Sequence, residues 1–234
     1  MRWLVLLALA ACTQDLDEQW QLRHDRIIAV RTDPPRLAAG GQASLTMLAG
    51  YSDAPAVERA PDLAAVVSPK SMSGSVAPFG GAWMVTAPDE SALAAARSEL
   101  GLPDGAPVPL QIGLASAWPH PVASTDEQHF AAVKTVLLGE SGDNPPLEGL
   151  TINGAPPGDE LAVPRTGQVP LYVEANDETQ IVNWLTSAGT MHDFDLHAAY
   201  LTFEEGDALE GQLVLVLHDE LGGVTWRVWP LRAE

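Results

Sequence analysis

The chain has 234 residues; 46% are apolar, and 31 acidic residues stand against 12 basic ones, a formal charge of −19. That much apolar matter excludes a disordered chain and supports a packed core. The acidity excludes a nucleic-acid partner, because phosphate backbones repel such a surface. The 20 glycines and 19 prolines call for many turns and few long helices.

Met1 and Arg2 make a short positive start, and Trp3 to Ala11 are all apolar. A membrane-spanning helix needs roughly 20 apolar residues. A signal-peptide core needs about 7–15. The run ends on Cys12, the only cysteine in the chain, so no disulfide forms within it. Leu9-Ala10-Ala11-Cys12 resembles the lipobox of bacterial lipoproteins. That resemblance implies cleavage before Cys12, a diacylglycerol on its thiol and an acyl chain such as palmitate on its new amine. Each buried methylene contributes about 0.8 kcal/mol, so two or more chains anchor stably. In the family an aspartate after the cysteine favours inner-membrane retention; Thr13 stands here, which points to the outer membrane. A plain secretory signal is the other reading, and it leaves the lone cysteine without a role. The expectation is a signal peptide over residues 1–11, an acylated tether over 12–24, and a lipid-anchored protein of the cell envelope. The membrane face it occupies stays open.

The polar stretch "CTQDLDEQWQLRH" leads into a first strand. Ile27, Ala29 and Arg31 fall on one face and Ile28, Val30 and Thr32 on the other, so both faces carry apolar residues. Asp33-Pro34-Pro35 breaks the strand, Gly40-Gly41 reads as a turn, and Ala43, Leu45, Met47 and Ala49 alternate with Gln42, Ser44, Thr46 and Leu48. Arg26 to Pro35 and Gly41 to Leu48 resemble the opening of envelope lipoproteins of myxobacteria and related bacteria. His218 to Trp226 is similar to their closing "RD-x-x-G-G-x-x-W", with histidine where arginine is usual. The resemblance implies Ig-like β-sandwich domains and an envelope location, and no particular activity.

Signals weaken from Ala54 to Val76, with one strand around Ala64 to Val67. A strand follows over 82–88. Asp89 or Ser91 then caps a helix that carries Leu93, Ala96 and Leu100 on one face and stops at Gly101. Residues 106–118 and 129–140 read as the closing strands of a first domain over 25–143. "SGDNPP" (141–146) is the boundary. A second domain, 144–234, repeats the opening order of strand, Pro-Pro turn, glycine and strand. It places Trp184 on its third strand, a common core position in Ig-like sandwiches. Leu213 to Leu217 reads as a central strand. Gly222-Gly223 turns the chain, with Val224, Trp226 and Val228 on one face of the last strand and Thr225, Arg227 and Trp229 on the other. The fold class is mainly β: two consecutive Ig-like β-sandwiches after a lipoprotein signal peptide, with one short helix in the first domain.

His192, Asp193, Asp195 and His197 offer zinc-type ligands, but a solvated loop explains "MHDFDLH" as well. Acidic turns at Asp143, Asp159-Glu160, Asp177-Glu178 and Glu204-Glu205-Asp207 offer oxygens for calcium; ordinary turn chemistry explains these too. G-x-S-x-G, S-x-x-K, H-E-x-x-H and the phosphate-loop pattern are all missing, so no catalytic residue is named. Trp184 and Trp226 read as core. Trp20, Trp118 and Trp229 are candidate surface aromatics for a sugar ring or protein partner. The expected function is a non-enzymatic structural or partner-binding module that meets membrane lipid through Cys12 and an envelope protein through its surface. The alternatives are a calcium- or carbohydrate-binding module, then an envelope hydrolase. No cofactor is expected beyond the lipid on Cys12.

Overall fold

A computed structural model describes residues 18–51, 54–119, 127–174 and 179–234, with backbone only at 118, 119, 127 and 128. Cys12 lies outside them, as do Asp177 and Glu178. The first half runs β1 (Arg26–Asp33), β2 (Arg36–Leu37), β3 (Gln42–Gly50), β4 (Val57–Arg59), β5 (Leu63–Ser68), a 3₁₀ turn (Lys70–Ser75), β6 (Val76–Phe79), β7 (Ala82–Thr86), α1 (Glu90–Leu100), β8 (Val108–Pro119) and β9 (Glu127–Leu138). The second half runs β10 (Thr151–Ile152), β11 (Leu161–Val163), β12 (Val169–Tyr172), β13 (Ile181–Thr186), β14 (Thr190–His192), β15 (Ala198–Thr202), β16 (Glu210–His218) and β17 (Val224–Ala233).

Each half forms two sheets. In the first, β1-β3-β7-β6 faces β2-β9-β8-β5, with β4 added beside β3. In the second, β10-β12-β15-β14 faces β11-β17-β16-β13. Both halves share one design. Four strands in matching order make the first sheet, which β4 widens to five in the first half. A short second strand then crosses over and pairs in parallel with the last strand of the other sheet, β2 on β9 and β11 on β17. With the remaining pairs antiparallel, this is the strand order of an immunoglobulin-like sandwich. The chain is two consecutive Ig-like β-sandwiches.

The inward positions of each pair of sheets build separate cores. Leu45, Met47, Leu110, Ile112, Val136 and Leu138 fill the first. Trp184, Trp229, Leu171, Leu201, Leu213 and Leu215 fill the second. Trp184 sits in the second core, as expected, on β13, which is the fourth strand of its half because the short β11 comes between β10 and β12. α1 closes the first core with Leu93 and Ala96. Asp89 caps it by accepting from the Ala92 amide, and Gly101 ends it in a left-handed conformation. Hydrogen bonds from the Ala92 amide and the Ser91 hydroxyl hold the Asp89 carboxyl below its usual pKa. Arg97 is buried on the inner side of this helix. Its Nε donates to Ala106 O at 2.6 Å and its guanidinium pairs with Glu90.

Three expectations need correction. A register shift between Ile27 and Ala29 breaks the simple alternation of β1. Ile27 packs with Val30 in the first core, while Ala29 turns to the second sandwich; one extra residue exchanges the faces. Trp20 and Trp229 are not surface aromatics. Trp229 is 0% exposed and Trp20 7%, and both belong to the second core. Residues 20–22, expected to be free of the sandwiches, are docked. The Thr186 amide donates to Trp20 O and the Leu22 amide to Thr186 O, both at 2.9 Å, so the chain docks along β13 before it enters β1. The physical reason is apolar burial: the indole of Trp20 and the side chain of Leu22 gain more inside than in solvent.

Candidate functional site at the domain junction

The second sandwich lies with the outer face of its β13-β16-β17 side against β1 and β3 of the first. Leu185, Val214, Val216 and Val224 pack on Leu22, Ala29, Leu48 and Ala56, with Ile28, Trp226 and Val228 partly buried around them. These outward positions are apolar because the sheet face is covered by a domain instead of water. Trp226 therefore serves the junction and not the core. The Arg31 guanidinium lies 4.2 Å above the Trp226 ring centre and bonds both carboxylate oxygens of Glu58 at 3.0 Å.

Polar contacts close the rim. Gln212, buried, accepts from the Ala56 amide at 2.7 Å and donates to Ala54 O at 3.3 Å. Asn144 donates to Thr32 O in the first sandwich at 3.0 Å and accepts from the Val224 amide in the second at 2.9 Å. Thr225 Oγ1 donates to Pro145 O at 2.6 Å. The segment that reads from the sequence as a boundary is therefore also a clamp. At the hairpin between β16 and β17, Gly222 has φ +86°, and a Cβ on it would sit 2.9 Å from Thr135 O. Only glycine permits that approach to the β9 backbone.

Beside this hairpin is a cleft of about 310 Å³, lined among others by Ile28, Val133, Lys134, His218 and Asp219. Lys134 projects from β9 and donates to Gly222 O at 2.5 Å. Burial lowers its pKa to about 8, against an opposing pull from the Asp219 carboxylate. Burial lowers the pKa of His218 as well, helped by the Lys134 charge and opposed by Asp219. Lys134 is spent on joining the two sandwiches: its donor reaches across the junction to a backbone carbonyl. Sequence reasoning missed Lys134. The signal was there, since lysine occupies an inward position of β9 between Ala132 and Val136.

The remaining candidates fall elsewhere. Trp118 lies on β8, and its side chain is outside the described residues. His192 stacks on Tyr200 with ring centres 4.4 Å apart and bonds Thr202 Oγ1 at 3.0 Å. Asp193 takes φ 55° in the turn that follows. Among the described residues no three His, Cys, Asp or Glu side chains are grouped to hold a metal ion, and no helix is long and apolar enough to cross a membrane.

No protein-family model matches the chain, and no curated protein matches it. Solved structures do. The N-terminal Ig1-2 module of the Drosophila receptor protein tyrosine phosphatase DLAR is similar at 13% identity and a TM-score of 0.30, covering 90% of this chain and 99% of that one. Murine CEACAM1b is similar at 10% identity and a TM-score of 0.28, covering 88% and 100%. A chimeric titin Z1Z2 tandem is similar at 10% and 0.28, covering 90% and 99%. The fold assignment rests on the strand order given above.

Proposed function

We propose that the chain is a lipoprotein of the cell envelope, anchored in the outer membrane through Cys12, with a non-enzymatic role in binding a protein partner or holding structure. The observation that carries this reading is the place of the sole cysteine. It ends the apolar run Trp3–Ala11 and stands only a few residues before Trp20, where the chain docks on the second sandwich. A stretch of that many residues spans at most roughly 25 Å. A lipidated Cys12 would then hold both sandwiches close to the bilayer surface, where tethering raises their local concentration towards a neighbour. The high negative charge suits a body held beside anionic headgroups by a lipid and not by surface attraction.

The sugar-binding alternative loses two of its three tryptophans to the second core. The buried amine of Lys134, the most strongly perturbed cation among the described residues, is engaged across the junction, which supports a structural reading over a catalytic one.

The test is the intact mass of protein extracted from membranes. The reading predicts loss of residues 1–11 and added diacylglycerol and acyl mass on Cys12, and Cys12→Ala releases the protein from the membrane fraction. Unacylated, membrane-free protein from an expressing cell overturns it.

A further inference from the structure

The two sandwiches use the same sheet differently. In the second, the outer face of β13-β16-β17 is covered by the first domain. In the first, the matching strands are β5, β8 and β9, and none of the described residues covers their outer face. Leu63 is 55% exposed, Val67 55% and Val133 66%. Register places Leu63 opposite Ala115 and Ala131, and Ala65 opposite Gly113 and Val133. Small side chains in the middle leave this face flat, and no charged residue lies among these positions. In a chain of charge −19 that is a marked gap, and exposed apolar surface of this kind marks interaction sites. The face also runs into the existing junction, because Val133 lines the cleft beside Lys134 and Gly222.

We propose that this face docks a second copy of the chain, through the outer face of that copy's β10-β12-β15-β14 sheet. The partner surface follows from the contact within the chain. There, the β1-β3 side of one sandwich covers the β13-β16-β17 side of the other. The equivalent of β1-β3 in the second sandwich is β10-β12, in the sheet that continues through β15 to β14. Its outward positions are Tyr172, Pro170, Ala198 and Tyr200, with His192 stacked on Tyr200. Tyr172 is 44% exposed. This patch is aromatic and carries no carboxylate among those residues, so two strongly acidic chains meet without burying like charges. The joint is head to tail: each copy offers one face and receives on the other, which closes a ring or extends an array. The inference deepens the partner-binding reading above and rests on it.

The test uses the full chain carrying two different C-terminal tags, co-expressed and extracted in excess detergent, with one tag captured and the other quantified. Leu63→Glu spoils one face and Tyr172→Glu the other; Val133→Glu serves as a second variant of the first face. Unchanged melting temperatures show that each variant folds. Wild-type copies should pair. Two Leu63→Glu copies, or two Tyr172→Glu copies, should lose at least about tenfold in pairing. A Leu63→Glu copy mixed with a Tyr172→Glu copy should pair again, because one intact face of each kind remains. Absence of wild-type pairing overturns the proposal. So does loss of pairing in Leu63→Glu while Tyr172→Glu is unaffected, which would mean the face meets itself. Cys12 acylation, read by mass on the same samples, reports separately on the lipid anchor.

Discussion

The two sandwiches share strand order and even the parallel crossover strand, yet they spend the same surface in opposite ways. The outer face of β13, β16 and β17 is buried at the junction, and Val214 and Val216 sit there as fully covered as core residues. The matching face of β5, β8 and β9 meets solvent with Leu63, Val67 and Val133. The cores differ as well. The second is built around Trp184 and Trp229, while the first relies on aliphatic residues and methionine, closed by α1. The lesson is that the fold sets which positions point outward, and the neighbour decides whether an apolar side chain there is buried or available.

Substitutions can break this comparison, and the largest effects belong inside. Trp184→Ala empties the centre of the second core and should cost about 3–5 kcal/mol, read by denaturant unfolding. At the junction, Leu48→Ala should cost roughly 2–4 kcal/mol, although Leu48 points away from its own core. Lys134 sharpens the contrast between domains through pH. Its folded pKa of about 8 lies below its ordinary value of 10.5. The unfolded chain thus binds more protons across that interval, and stability rises with pH from about 8 to about 10.5, by at most about 3 kcal/mol. Lys134→Met should remove that rise, leaving the difference between the two pH profiles as the readout. Gln212→Ala orphans the Ala56 amide and the Ala54 carbonyl and should cost about 1–3 kcal/mol. Val133→Ala, on the exposed face, should change stability by less than about 0.5 kcal/mol.

Much of the fold could be read in the residues, and the reasons are local. Alternation along Ala43 to Ala49 marks β3, Asp89 and Gly101 mark the ends of α1, and Trp184 marks a core strand of the second sandwich. The junction was harder to read. Leu48, Val216 and Trp226 look like ordinary strand residues, and only the docking of one sandwich on the other tells their burial from the exposure of Leu63. Trp20 misleads for a related reason: it stands in a polar stretch, and its burial depends on β13, far along the chain. The bulge after Ile27 carries no glycine or proline to announce it. Asn144 reads as a turn former, and its bridge between Thr32 and Val224 needs both domains in place.

Hydroxyl-radical footprinting read by mass spectrometry, at a dilution where copies are separate, tests the central contrast most directly. Leu63, Val67 and Val133 should label strongly, while Leu48, Val214 and Val216 stay protected in the same sample. Equal labelling of the two sets would mean that the sandwiches do not pack against each other, and the account of the junction would fail.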